Sequence, residues 1–311
     1  MPFAAQRFAR GRPQAAQMML HALSVDVEDW FQVLNMAHKI DRADWDKLQL
    51  RCADSTRRLL DLFARRECRA TFFFLGWIAE RMPEVVLEVA KAGHEIGSHG
   101  YDHRLLPDLG REGFAADLAR TKKVLREIAG VEVQAFRACT WSVTQRSPWA
   151  VDELLRSGVT VDSSIFPVWH PDYGVRHAPN SPYLLNSESG ELLEFPPLCL
   201  DFFGRRLPVG GGGYLRLFPR GLLRAGLRQQ ERRGMPGCVY LHPWEVDPEQ
   251  PRQRLGLLRG FRHYVNLHRT LPKLDQLLTD FRFGSLREVL AQFTPSWRAK
   301  LRALRASELL G

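Results

Sequence analysis

The sequence predicts an α/β fold with a parallel β-sheet, open or closed into a barrel. Two observations predict it. Short apolar runs alternate with stretches of helical period between residues 21 and 163, and strand followed by helix, repeated, builds a parallel sheet. Acids, histidines or an arginine stand where the runs end, and such folds place their chemistry at the C-terminal ends of strands. The chain has 311 residues, 45% hydrophobic and 25% charged, which excludes disorder throughout and suffices for one large core.

In chain order, the apolar run His21 to Val27 reads as a buried strand that ends in acids. Ser55 to Arg65 has apolar residues at 59, 60, 62 and 63 and predicts a helix capped by Asp54 or Ser55. Ala70 to Leu75 predicts a strand, Ile78 to Lys91 a helix ended by Gly93, and His94 to Ile96 a short strand. Helices near 113–129 and 147–157 then alternate with strands near 134–137 and 159–163. From Trp169 to Gly213 the pattern loosens, and the run Gly210 to Gly213, with no Lys-Ser/Thr after it, reads as a hairpin or flexible lid. Phe218 to Arg233 predicts a helix, Cys238 to His242 a strand, and 271–280 and 286–293 helices before a basic tail from Trp297.

His99 and His103 are four residues apart, which on a helical turn puts both imidazoles on one face. Asp26 and Glu28 alternate to the same side of a strand end, so one can ligate while the other accepts a proton. Two histidines and a carboxylate make a metal-binding set with an open position; a solvated helix face and a charged strand terminus are the plain alternatives. Arg137, Asp162 and His242 also fall at strand ends.

A formal charge of +9 favours anionic surfaces. The arginines are dispersed and no nucleic-acid module accompanies them, so no nucleic-acid partner is expected. The five cysteines form no Cys-x-x-Cys pair, the usage of a reducing compartment. Residues 1–19 read as a flexible basic arm without a signal-peptide core. The expectation is a cytoplasmic protein, peripheral to an anionic inner membrane face.

Taken together, Ser24-Val25-Asp26-Val27-Glu28-Asp29, Ser98-His99 to His103, Phe136-Arg137-Ala138-Cys139-Thr140-Trp141, Asp162-Ser163-Ser164 to Trp169, and Leu241-His242 resemble, in order, the motifs of carbohydrate esterase family 4, the polysaccharide deacetylases with a NodB homology domain. The chain is most similar to the subgroup found with exosortase and exopolysaccharide loci. The resemblance implies a deformed (β/α) barrel of about seven parallel strands over residues 20–285, with 286–311 a C-terminal helical extension. It implies hydrolysis of N-acetyl groups on N-acetylhexosamine units of an exopolysaccharide or a lipid-linked precursor. It also implies one divalent metal, zinc with cobalt or nickel as alternatives, held by Glu28, His99 and His103. Asp26 becomes the general base, Arg137 its orienting partner, the Thr140 N–H an oxyanion donor, His242 the general acid, and Asp162 the residue holding His242. Trp169 and Trp244 become groove residues. The first motif is Asp-x-Glu rather than adjacent aspartates, which leaves Asp29 as a substitute for Glu28, and Cys139 and Thr140 stand where the family usually has proline and often tyrosine. A small-amide hydrolase on the same fold, allantoinase-like, and a non-catalytic glycan-binding scaffold are the other readings.

Overall fold

The computed structural model describes residues 19–170, 173–293 and 295–311; the basic arm expected over residues 1–19 lies, but for residue 19, outside them. The strands are β1 Leu20–Val27, β2 Thr71–Phe74, β3 Glu95–Ser98, β4 Ala135–Phe136, β5 Val161–Asp162, β6 Tyr183–Ser187, β7 Gly190–Glu194, β8 Cys199–Phe202, β9 Arg205–Pro208, β10 Cys238–Leu241, β11 Arg282–Gly284 and β12 Ala303–Arg305. The helices are α1 Cys52–Arg65, α2 Gly76–Arg81, α3 Pro83–Lys91, α4 Leu106–Ala129, α5 Ala150–Arg156, α6 Gly212–Leu217, α7 Arg220–Arg232, α8 Leu257–Tyr264, α9 Leu267–Asp280, α10 Leu286–Ala291, α11 Pro295–Arg298 and α12 Ala306–Leu310.

Seven strands run parallel in the order β10-β1-β2-β3-β4-β5-β7. A lone parallel bridge from Pro197, just past β7, to Cys238 of β10 draws the ends of this sheet together. The result is the deformed barrel that the resemblance implies. β1 and β2 are buried along almost their whole length, because helices cover one side and the barrel interior the other, and this is why both read as continuous apolar runs.

Several elements differ from the sequence reading. The helix expected over 78–91 is two helices, since Pro83 pushes Met82 out of helical geometry (φ −136°, ψ 59°). α1 begins three residues before Ser55 and has no side-chain cap. The loosened stretch holds two antiparallel hairpins, β6–β7 and β8–β9. The glycine run is no lid: a Cβ on Gly211 would lie 2.0 Å from the Tyr240 carbonyl oxygen, so the segment is packed onto β10. The segment after residue 285 is not purely helical, because β12 pairs with β6 at the sheet edge.

His21 sits fully buried in β1 between Phe281 and Phe283, its Nδ1 accepting the Gly237 N–H at 3.1 Å. Burial, outweighing the attraction of Glu231, pushes its pKa down to about 4. With the unfolded value near 6.5, the native state binds fewer protons between these two values, so this site's stability is complete above about pH 6.5 and declines toward pH 4. His21→Asn, which keeps an acceptor for Gly237, is expected to lose less stability than the wild type between pH 7 and pH 4.5, by about 2–3 kcal/mol in urea titrations. Parallel pH profiles for the two proteins would refute this.

Candidate active site

Residues from four strand ends and the loops that follow them line a groove of about 430 Å³ that includes Asp26, Glu28, His99, His103, Thr140 and His242. Alternation in β1 turns Asp26 inward, and Glu28, two residues on, follows to the same side. His99 and His103 come together without a helix: Gly100 and His103 both have positive φ (75° and 56°), and this tight loop returns His103 toward His99, with ring centroids 5.7 Å apart. The helical turn expected from their spacing is therefore replaced by a loop.

Arg137, fully buried, is the hub. Its Nη1 donates to Asp26 Oδ1 and Ser24 Oγ, both at 2.7 Å, its Nη2 to Ser163 Oγ at 2.7 Å and its Nε to the Ser163 carbonyl at 3.0 Å. The guanidinium also lies over the Phe73 and Trp141 rings, 4.5 and 4.7 Å from their centroids. Its backbone carbonyl is 2.8 Å from His99 Nδ1. A carbonyl can only accept, so Nδ1 carries the proton and His99 Nε2 keeps a free lone pair.

Glu28 Oε2 is buried, lies 2.9 Å from His103 Nε2 and has no hydrogen-bond partner. Burial alone would raise the Glu28 pKa, but His103 and His242 draw it down to about 2, so it is a carboxylate. Burial pushes His99 down to about 4 against the pull of Asp26 and Glu28, leaving a neutral imidazole. Two imidazoles and one ionised carboxylate with an orphaned buried oxygen fit a divalent cation. His99, His103 and Cys139 also have ligand atoms within 4.8 Å of one another. The Cys139 thiol is the poorer third donor: its Sγ donates to the His99 carbonyl at 2.8 Å, and burial, reinforced by Glu28, raises its pKa well above the ordinary value. Asp29 serves structure, accepting the Arg51 and Cys52 N–H groups at 2.7 and 2.9 Å where α1 begins.

His242 differs from expectation in its partner. Its Nδ1 is 2.8 Å from Glu245 Oε2, which also accepts the His242 N–H at 3.0 Å, while Glu245 Oε1 takes Arg216 Nε at 2.6 Å. Burial opposes protonation, yet Glu28 and Glu245 raise the His242 pKa to about 9. Its Nε2 faces Glu28 Oε1 at 3.4 Å and Asp26 Oδ2 at 3.8 Å. Asp162 does not hold His242. It accepts from Ser164 Oγ and shares a hydrogen bond with Glu194 of β7; burial raises both acids, Asp162 to about 6. Glu245 is the functional residue the sequence reading missed, although a glutamate three residues after a helix-start residue is a capping-box signature.

Thr140 lines the groove from a backbone turn in which it and Trp141 both have positive φ (53° and 55°), a conformation that costs non-glycine residues and persists where surroundings impose it. Trp244 lines the groove too, stacked between His242 and His263, with Nε1 3.3 Å from Glu28 Oε1. Trp169 does not: 75% exposed, it lies by Arg176 and Arg206, while its neighbour His170 lines the groove.

A family model described as Polysaccharide deacetylase matches residues 44–156, and one described as Domain of unknown function (DUF3473) matches residues 163–291. A peptidoglycan-N-acetylglucosamine deacetylase of Bacillus cereus is 27% identical over 174 residues, which span 52% of this chain and 62% of the relative. Chitin deacetylase 1 of Cryptococcus neoformans is 32% identical over 82 residues, 26% of this chain and 17% of the relative. A solved Mycobacterium smegmatis structure assigned as a polysaccharide deacetylase superposes with a TM-score of 0.59 at 21% identity, covering 95% of this chain and 96% of that one, and shares the fold. Residues 44–156 thus match the polysaccharide deacetylase domain and residues 163–291 the domain that follows it, on a barrel of NodB-like fold.

Proposed function

We propose that this protein is a metal-dependent hydrolase that removes N-acetyl groups from N-acetylhexosamine units of an exopolysaccharide or its lipid-linked precursor. The observation that carries the reading is the convergence, in one groove, of the Glu28–His99–His103 donor set with an Arg137-held Asp26 and a Glu245-held His242. Zinc suits two imidazoles and a carboxylate, as do cobalt and nickel. The net charge of +9 and five buried free cysteines support a cytoplasmic protein working at an anionic membrane face.

An amide resists hydrolysis because resonance dulls its carbonyl and its amine leaves poorly. A divalent ion held by Glu28, His99 and His103 would supply Lewis-acid polarisation of the carbonyl and lower the pKa of water. Asp26 takes the water's proton on Oδ2, while Oδ1 stays bound to Arg137, so the carboxylate cannot rotate away. His242, charged on both ring nitrogens by its acidic neighbours, gives its Nε2 proton to the departing amine. Glu245 fixes which nitrogen faces the groove. The Thr140 turn offers backbone to the developing oxyanion, an interaction whose loss costs about 3–4 kcal/mol in comparable sites.

The test pairs metal content with acetate release from N-acetylglucosamine oligomers and from small amides. Wild type is expected to hold about one equivalent of metal and to release acetate from the oligomers; His99→Ala loses both, and Cys139→Ser keeps both. A metal-free, inactive wild type sinks the proposal, and activity confined to small amides changes its substrate.

The orientation of His242 gives a separate prediction. Glu245→Gln is expected to lower kcat by about a hundredfold, the lower end of what a positioned general acid contributes, while Asp162→Asn lowers it far less. The reverse ranking would return the orienting role to Asp162.

A further inference from the structure

The face of α8 that turns to solvent is apolar. Leu257 is 96% exposed, Leu258 63% and Phe261 54%, and their i, i+1, i+4 spacing makes one stripe. The inner face is the polar one, fastened to the site. His263, fully buried, stacks on Trp244 with centroids 4.5 Å apart and bonds Gln250, and Arg216 donates to the carbonyls of Arg262, His263 and Val265 at 3.0, 2.7 and 3.1 Å. The helix is thus held rigidly with its greasy side out.

The stripe continues into the groove. Phe261 lines it, as do two more exposed apolar residues from other segments, Leu34 and Leu217. The surrounding charge has one sign: between residues 248 and 266 the chain has Arg252, Arg254, Arg259 and Arg262 against the single acid Glu249. Arg254, Arg259 and Arg262 are exposed, and among the described residues none of their side chains makes an ion pair. An apolar patch rimmed by unpaired arginines is complementary to a surface that offers acyl chains beneath anionic headgroups.

We propose that the outer face of α8, with the apolar rim of the groove, docks on an anionic phospholipid bilayer, so that the groove opens at the membrane surface. The idea rests on the proposed deacetylase for its purpose, since a lipid-linked or surface-held glycan would meet the groove there. Its test does not need that activity. A docked helix lying in the headgroup layer requires no spanning segment, and among the described residues no helix is long and apolar enough to cross a membrane.

The full chain is to be sedimented with vesicles of phosphatidylcholine alone and of equal parts phosphatidylcholine and phosphatidylglycerol, at low and high salt. Binding is expected only to the mixed vesicles and to weaken with salt. Leu257→Ser with Leu258→Ser, neither of which lines the groove, is expected to cut the partition coefficient at least about tenfold, and Arg254→Gln with Arg259→Gln about thirtyfold. Acetate release from soluble oligomers stays at the wild-type level in both double variants, which reports an intact fold. Equal binding to both vesicle types, or undiminished binding of the leucine variant, overturns the proposal. So does a wild-type dimer that the leucine variant converts to monomer, because a second copy would then cover the stripe. Vesicle binding by a protein that releases no acetate would leave the docking in place and refute the deacetylase.

Discussion

Asp26→Asn is expected to lower acetate release from N-acetylglucosamine oligomers by about a thousandfold, the usual scale for losing a general base, while metal content and thermal stability stay near wild type. The asparagine carbonyl oxygen can still accept from Arg137 Nη1, now 2.7 Å from Asp26 Oδ1, so the hub keeps its geometry. What disappears is the proton acceptor beside His242 Nε2. The Glu28–His99–His103 donor set does not include Asp26, so one equivalent of metal by elemental analysis is part of the expected result. Activity within tenfold of wild type would remove Asp26 from the chemistry. Loss of metal in this variant would instead make it a ligand.

Arg137→Leu is expected to be the most damaging single change to the fold near the groove, destabilising by about 3–5 kcal/mol, the range for a buried charge whose partner is removed. The leucine leaves Asp26 and the hydroxyls of Ser24 and Ser163 without the guanidinium that joins them at the buried floor of the groove. At roughly 2 °C per kcal/mol for a chain of this size, the Tm should fall by about 6–10 °C. A double-mutant cycle separates the causes. If the unpaired Asp26 charge dominates, adding Asp26→Asn restores a large part of the loss. If the cost is the same in both backgrounds, the loss is one of packing against Phe73 and Trp141, and the ion pair contributes little.

The order of strands and helices was legible because both faces of a parallel strand are buried, so β1 and β2 announce themselves as apolar runs with chemistry at their ends. That also brought Asp26, Glu28, His99, His103, Arg137 and His242 onto one short list. Neighbours across the sheet were not legible. The hairpin β6–β7 is half exposed and its polar residues blur the pattern, so Glu194 could not be foreseen, and Glu194 is what engages Asp162 and leaves it no part in holding His242. Trp169 was judged by closeness in sequence to a motif, which says nothing about the direction the chain takes after a two-residue strand. Glu245 was there to be found from local spacing alone, since one carboxylate closes the helix start and orients the histidine.

β1, the first strand among the described residues, pairs with β10 on one edge and with β2 and β11 on the other. During synthesis its second edge has no partner until residue 241 has left the ribosome, more than two hundred residues later. At about 5–20 residues per second that is a wait of roughly 10–40 s. Over that interval a flat apolar strand is exposed to pairing with other chains. A chain cut between the stretches 44–156 and 163–291 would make the wait permanent: its first piece would have Asp26 and Arg137 but neither Ser163 nor the strand that covers β1. The barrel is thus sealed by its last parallel strand, and nascent chains should need a holding chaperone until that strand arrives.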